Sequence, residues 1–108
     1  MATGILGQAE CTQTDEVIYE VPADTFAVVT VTFCNRATSN REIRLAVTDD
    51  ENNLSTEAWK FLEFNAELLP SGVLERSGIV LDAGKKVTVM ANGITVGASV
   101  YGIETTTV

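Results

Sequence analysis

Histidine is absent from this chain, and its 108 residues include only two cysteines, two prolines and one tryptophan. Without imidazole the chain lacks the commonest general base and the commonest neutral metal ligand. A structural zinc site takes about four Cys or His ligands, so two cysteines cannot supply one. Cys11 and Cys34 could be bridged across neighbouring strands. A protein kept in a cytoplasm holds its thiols reduced, however, and both read as free, half-buried groups. Basic residues are scarce as well: seven Lys and Arg stand against fifteen Asp and Glu, a formal net charge of −8. Such a field repels phosphate backbones and anionic membranes and attracts a basic partner surface. No apolar run reaches the roughly 20 residues of a membrane helix. The first residues have no basic stretch followed by an apolar one, so they do not read as a secretory signal, and a soluble cytoplasmic product is expected. The nucleophile-elbow, phosphate-loop and dinucleotide motifs are also missing. The chain therefore reads as a non-enzyme with no cofactor and no metal.

What the chain does have is alternation. Its hydrophobic content of 45% is that of a folded domain, and this length buries roughly 65% of the extended-chain surface. Residues 73–81 and 85–91 read as two strands joined by a tight turn at Asp82-Ala83-Gly84, with Gly84 supplying the positive φ. Along the second of these, Val87, Val89 and Ala91 alternate with Lys86, Thr88 and Met90, a period of two that suits a sheet with one buried face. Gly78 in mid-strand predicts either a bulge or a close backbone approach.

Residues 16–21 form a shorter strand ended by Pro22. Residues 25–35 form the longest, with Ala27, Val29, Val31 and Phe33 facing the core and a mixed row opposite, as in a central strand. After the turn-rich NRATSN, residues 41–48 point Ile43, Leu45 and Val47 inward and are expected to pair with 25–35 as a long hairpin. Asn92-Gly93 predicts a type I′ hairpin turn into residues 94–103. Residues 54–58 fit either one helical turn or an extended loop, and 66–72 read as a loop. The expected fold is all-β: an antiparallel β-sandwich or flattened barrel of about seven or eight strands. Its parts are an N-terminal arm or edge strand at 1–14, a single domain at 15–104 and a frayed tail at 105–108.

Two segments stand out as partner-binding. Residues 1–14 mix Gly, Ala, Gln and Thr without strong periodicity; as an arm packed on a neighbouring subunit they would make contact through Ile5, Leu6 and Gln8. Residues 59–64 carry aromatics on both faces. Leu62 and Phe64 are expected to enter the core, leaving Trp59 and Phe61 half exposed for an interface, unless both rows are simply buried. Trp59 with Lys60 and Glu63 is also the one apparent sugar platform. Asp49-Asp50-Glu51-Asn52-Asn53 clusters oxygen ligands, but the acids are consecutive and no Gly makes the sharp bend of a calcium loop, so a solvated loop is favoured over a cation site. Glu75 and Arg76, being adjacent on a strand, point to opposite faces and cannot act together.

Three phrases in the chain resemble known proteins: MATGILGQ at the start, VIYEVPA before a Val/Thr-rich strand that ends in CNR, and LPSGVLERSGIVLDAGKKVTV at 69–89. Together they resemble small virion proteins of tailed bacteriophages, marine and cyanobacterial ones above all. The resemblance implies a β-sandwich accessory subunit with no catalytic residues. Taken with the acidic, chemistry-free composition, it makes a capsid decoration, or cement, protein bound outside the phage head the leading expectation. Its partners would be the major capsid protein and copies of itself, with a trimer at three-fold sites favoured. A neck, tail or baseplate component is the alternative, and a carbohydrate-binding module of a fibre is a further one.

Overall fold

In a computed structural model, which describes residues 3–49, 54, 58–93 and 95–107, the chain forms eight strands in two four-stranded antiparallel sheets. The strands are β1 (Thr3–Glu10), β2 (Glu16–Glu20), β3 (Thr25–Asn35), β4 (Arg41–Thr48), β5 (Phe61–Leu68), β6 (Val73–Leu81), β7 (Lys86–Ala91) and β8 (Val96–Thr106). A 3₁₀ turn at Ala58–Lys60 precedes β5. The front sheet has the order β1-β8-β3-β6 and the back sheet β2-β7-β4-β5.

That order has a simple logic. β1 pairs with β8, β2 with β7, β3 with β6 and β4 with β5, so the chain is one long hairpin, folded at the β4–β5 connection and then wound. Further ladders between β3 and β8 and between β4 and β7 join the turns of the winding. This is the jelly-roll arrangement of eight strands in two sheets.

It corrects three pairings expected from local signals. β3 and β4 are not a hairpin, β6 and β7 are not a hairpin, and Asn92-Gly93 does not close one between β7 and β8. Each of these connections carries the chain from one sheet to the other. The Asp82–Lys85 turn does form, with Lys85 N–H donating to Asp82 O at 3.3 Å and Gly84 at φ 83°. It is pinned to the end of β2, where Gly84 N–H donates to Val21 O and Val21 N–H to Lys85 O, both at 3.0 Å. Asn92 continues the ladder with β4: its N–H donates to Glu42 O and its Oδ1 accepts from Glu42 N–H, each at 3.0 Å. Both sides of β7 and β8 are already occupied by other strands, so a tight turn beside them can only be a corner.

Alternation is right wherever the ladder is regular. Ala27, Val29, Val31 and Phe33 on β3 are fully buried, as are Ile43 and Leu45 on β4 and Val96 and Val100 on β8. Bulges change the parity elsewhere. On β6 the register slips opposite Val29 and Val31, where Gly78 takes φ 73°. Leu74 before the bulge and Ile79 and Leu81 after it then face the core, and Val73 and Val80 face out, 62% and 68% exposed. On β4 the ladder with β7 stays regular and Val47 packs against the core as expected, but Ala46 and Thr48 on the opposite face are buried as well. Leu54, in the β4–β5 connection, is also buried.

The N-terminal segment takes the edge-strand alternative, while the C-terminal end and the 66–72 region differ from expectation. Thr3–Glu10 is itself an edge strand, and β8 runs on to Thr106, with Thr107 N–H donating to Asp24 O at 2.9 Å, so 105–107 of the segment expected to fray are paired. β5 continues to Leu68, which is buried, and the loop shrinks to 69–72. Of the expected helical turn at 54–58, residues 55–57 lie outside the described set, as does Ile94.

Polar links close the two long sides of the sandwich. Arg76 on β6 donates to Glu63 on β5 at 2.7 Å. On the other side Tyr19 Oη on β2 donates to Glu104 Oε2 on β8 at 2.5 Å, and burial, reinforced by this carboxylate, pushes the phenol above its ordinary pKa. Beside that link β1 lies so close to β2 that a Cβ on Gly7 would stand 2.1 Å from Ile18 O.

At the opposite corner sits a group that periodicity does not mark. Asn35 is fully buried; its Nδ2 donates to Ser39 O, Leu68 O and Leu69 O at 3.1, 3.1 and 3.2 Å, and its Oδ1 accepts from Ala37 N–H at 2.9 Å. One amide thus ties the β3–β4 corner to the β5–β6 corner. Asn35→Ala should lower the unfolding free energy by about 3 kcal/mol, since it leaves the buried Leu68 carbonyl and the part-buried Ser39, Leu69 and Ala37 backbone groups without this partner. Urea denaturation checks this, with an unchanged m-value and a lower midpoint expected.

Candidate functional site

The residues expected to bind partners fall on both outer faces of the sandwich. Ile5 and Gln8 lie on the front sheet and are exposed, Ile5 by 59%. Leu6 does not join them. A register slip between Ile5 and Gly7 turns it inward, where it packs against the core. Trp59 and Phe61 precede and open β5, on the back sheet.

The front sheet assembles more than its first strand announces. Ile103 on β8 stands directly opposite Val28 on β3, which stands opposite Val80 on β6. In the neighbouring row Ile5 faces Tyr101, and Tyr101 faces Thr30. The result is an uncharged strip across all four strands, with Ile103 49% and Val80 68% exposed. Tyr101 is fixed within it: its hydroxyl donates to Glu75 Oε2 at 2.9 Å and accepts from Thr32 Oγ1 at 3.3 Å.

Next to the strip the sheet dips. Gly97 leaves an open hollow of about 410 Å³ bordered by Gln8, Glu10, Thr32, Cys34, Arg36 and Ser99. Gln8 Nε2 donates to Ser99 Oγ at 3.1 Å, and Arg36 pairs with Glu10 at 2.6 Å across the rim. The two thiols, both free, are not equally buried as expected. Cys34 is exposed in this hollow, whereas Cys11 is inside, and burial with Glu16 and Glu10 nearby pushes its pKa up to about 12.

On the back sheet the expected division of the aromatic segment fails. Two register slips between β4 and β5, with Asn65 at φ 55°, put Phe61 and Phe64 on the same outward face. Their rings meet edge-on at 5.2 Å and 71°. Phe64 is 54% exposed and Leu62 36%, so neither enters the core, and the reading that buries both rows fails too. Arg44 from β4 lies over Phe64 at 4.1 Å and near Phe61 at 5.9 Å, and its Nε donates to Asn65 Oδ1 at 2.7 Å. Trp59, on the 3₁₀ turn, is 74% exposed.

The expected platform of Trp59, Lys60 and Glu63 is not assembled, because Lys60 pairs with Asp49 at 3.0 Å and Glu63 with Arg76 of the front sheet. In the acidic loop, 50–53 lie outside the described residues; Asp49 is held by Lys60, which keeps its carboxyl below the ordinary range. Among the described residues no group of three or more acidic or cysteine side chains is placed to hold a metal. No helix among them is long and apolar enough to cross a membrane.

Comparison with protein-family models, curated proteins and solved structures finds no match to this chain. The site is therefore read from its own chemistry. Sequence reasoning missed Arg44, Phe64 and Asn65 because a bulge brings them together, and Val28, Val80 and Ile103 because cross-strand rows appear only with the register. Gly78 was a usable signal for Val80, since a bulge there reverses the face of every residue beyond it.

A cleft of about 210 Å³ opens on the back sheet between Asp15, Arg44, Leu54, Ala58, Phe61 and Phe64. Asp15 Oδ1 is buried there without a hydrogen-bond partner. Desolvation raises the Asp15 pKa, partly offset by Arg44. The folded chain thus holds this proton more tightly than the unfolded one, so stability falls as pH rises from the ordinary carboxylate range through the raised value. Asp15→Asn should melt higher than the parent at neutral pH, and the gap should close below about pH 3, where Asp15 is protonated in both the folded and the unfolded chain. Thermal melts across that range measure it.

Proposed function

We propose that this chain is a non-enzymatic structural protein of a tailed-phage particle, most specifically a decoration or cement protein that binds outside the head and clamps neighbouring capsid subunits. The observation that carries this reading is the uncharged front strip of Ile5, Tyr101, Ile103, Val28 and Val80. On a chain with a net charge of −8, a charge-free aliphatic strip crossing a whole sheet is a surface suited to being covered. The broad face of the sandwich, within Cα extents of 47 × 31 × 18 Å, has room for the roughly 800 Å² per partner of a stable contact. The acidic remainder would steer the protein to a basic seam and leave the particle's exterior negative. The resemblance of residues 1–8, 17–23, 34–36 and 69–89 to phage virion proteins points the same way. So does the topology, which recurs in viral capsid domains, although a fold alone does not fix a function.

In this reading the protein is a homo-oligomer, with trimers over three-fold positions, and the major capsid protein is its partner. A neck, tail or baseplate station would use the same face. Copy number decides between them: a number matching the capsid lattice supports the head, and one matching a single ring supports the tail.

Deleting the first residues is a poor test, because it would strip an edge strand from the front sheet. Val80→Glu and Ile103→Glu instead place a charge on the strip at exposed positions that the fold tolerates. Each should reduce occupancy on heads purified without this protein by at least about tenfold, the effect of an unpaired charge at an interface. Leu69→Glu, on an exposed loop, serves as the control and should bind normally. Cys34 gives a second readout from the same face: maleimide should label it in the free protein and not on the particle. Undiminished occupancy of both strip variants, with Cys34 equally reactive in both states, would overturn the proposal.

A further inference from the structure

The Asp15–Arg44 cleft lies on the back sheet, facing away from the strip, and docking does not use it. It contains a carboxylate and a guanidinium that border the same space without forming an ion pair. Arg44 is withheld from Asp15: Phe64 stacks under it at 4.1 Å and Asn65 Oδ1 holds its Nε at 2.7 Å. Among the described residues its two Nη groups donate to nothing, and Asp15 Oδ1, buried, accepts from nothing. A buried acceptor left unpaired costs roughly 1–3 kcal/mol and calls for a reason.

The charges select the occupant. A bare anion would meet Arg44 but be repelled by Asp15, and a cation the reverse. A neutral group carrying a donor and an acceptor side by side satisfies both. The walls formed by Leu54, Phe61 and Phe64 require that group to be apolar on one face. Adjacent hydroxyls on a pyranose ring meet both conditions, since each hydroxyl can donate and accept and the ring's C–H face stacks on an aromatic. The cleft is the size of one such ring. Trp59, 74% exposed one residue from the cleft-lining Ala58, offers an apolar plate for a second ring. Nucleobases of a polymer are disfavoured by the chain's net charge of −8.

We propose that this cleft binds a saccharide through two neighbouring hydroxyls, one donating to Asp15 Oδ1 and the next accepting from Arg44 Nη, with the apolar side of the ring against the wall formed by Leu54, Phe61 and Phe64. A protein docked through its front sheet would present this site outward, toward saccharides in solution or on a cell surface.

The test uses the purified full chain, titrated with the methyl glycosides of glucose, galactose, mannose and N-acetylglucosamine, and followed by calorimetry and by fluorescence of Trp59. Saturable binding of at least one of them is expected, in the roughly millimolar range of a single small site. Asp15→Ala should weaken it at least about tenfold, the loss of one charge-assisted hydrogen bond, while the fold melts no lower than the parent. Phe64→Ala removes an exposed wall and provides a second variant with the same expected loss. Silence toward all four glycosides overturns the proposal, as does binding that survives both substitutions. Binding of N-acetylglutamine amide in place of every sugar would also overturn it and would assign the cleft to a carboxamide side chain of a protein partner. These titrations need no phage particle, so their outcome is independent of the docking result.

Discussion

Nested pairing, first strand with last and each successive strand with its counterpart from the other end, is the constraint on which this structure depends. Only β4 and β5 are paired neighbours in the chain. Every other connection passes from one sheet to the other, so the inner faces of both sheets are filled by residues far apart in sequence. Such a fold gains little from any single turn. Its stability comes from burying Phe33, Ile43, Leu45 and the valines around them at once. Closure is non-local, which makes folding slow compared with a meander of hairpins. It also places weight on the few groups that lock one corner to another. Asn35 is the clearest of these, a polar side chain at the core's margin whose amide donates to three carbonyls at two separate corners of the fold.

What was legible in the sequence follows from that constraint. Strand existence is a local property, and alternation located β3, β4 and β6 to the residue. Pairing is a global property, and local turn signals misled: Asp82-Ala83-Gly84 and Asn92-Gly93 have hairpin chemistry but serve as corners, because the flanking strands have better partners elsewhere. Facing was legible until a bulge. Gly78 marked one of them, and Val80 moved outward as a mid-strand bulge requires. Asn65 marked another and was not recognised, since Asn on a strand does not announce a left-handed residue as Gly does. Every misassigned aromatic in the segment from Trp59 to Phe64 traces to the slips beside it. Of the candidate site, exposed Ile5, Gln8 and Trp59 were readable; Arg44, Asp15 and the aliphatic row were not, because they belong to three-dimensional neighbourhoods rather than to spacing.

Irregularity and exposure coincide in this protein. Edge strands are dangerous when they are long, flat and unpaired, and bulges blunt them. β1, β2, β5 and β6 are the edges of the two sheets, and all four carry a register slip. The central strands β3 and β8 run beside each other without one. The slips that guard the edges also set the surface: those in β5 turn Phe61 and Phe64 to one side, and that in β6 turns Val80 out. Protection of an edge and construction of a binding face are here the same backbone event.

The two faces then divide the chemistry. The front strip has area and no charge, which suits a large partner that excludes water over several strands. The back cleft is small and its polar groups are opposed in sign, which suits a neutral ligand held at a few atoms. Burial keeps the thiol of Cys11 protonated, and the same desolvation hinders Asp15 from ionising. A carboxylate with a raised pKa in a cleft is often taken as a sign of acid–base work. Here the neighbouring guanidinium is stacked on Phe64 and tethered to Asn65, the arrangement on which the proposed saccharide site rests. Both partners that hold Arg44 there, Phe64 and Asn65, are residues displaced by the β5 slips.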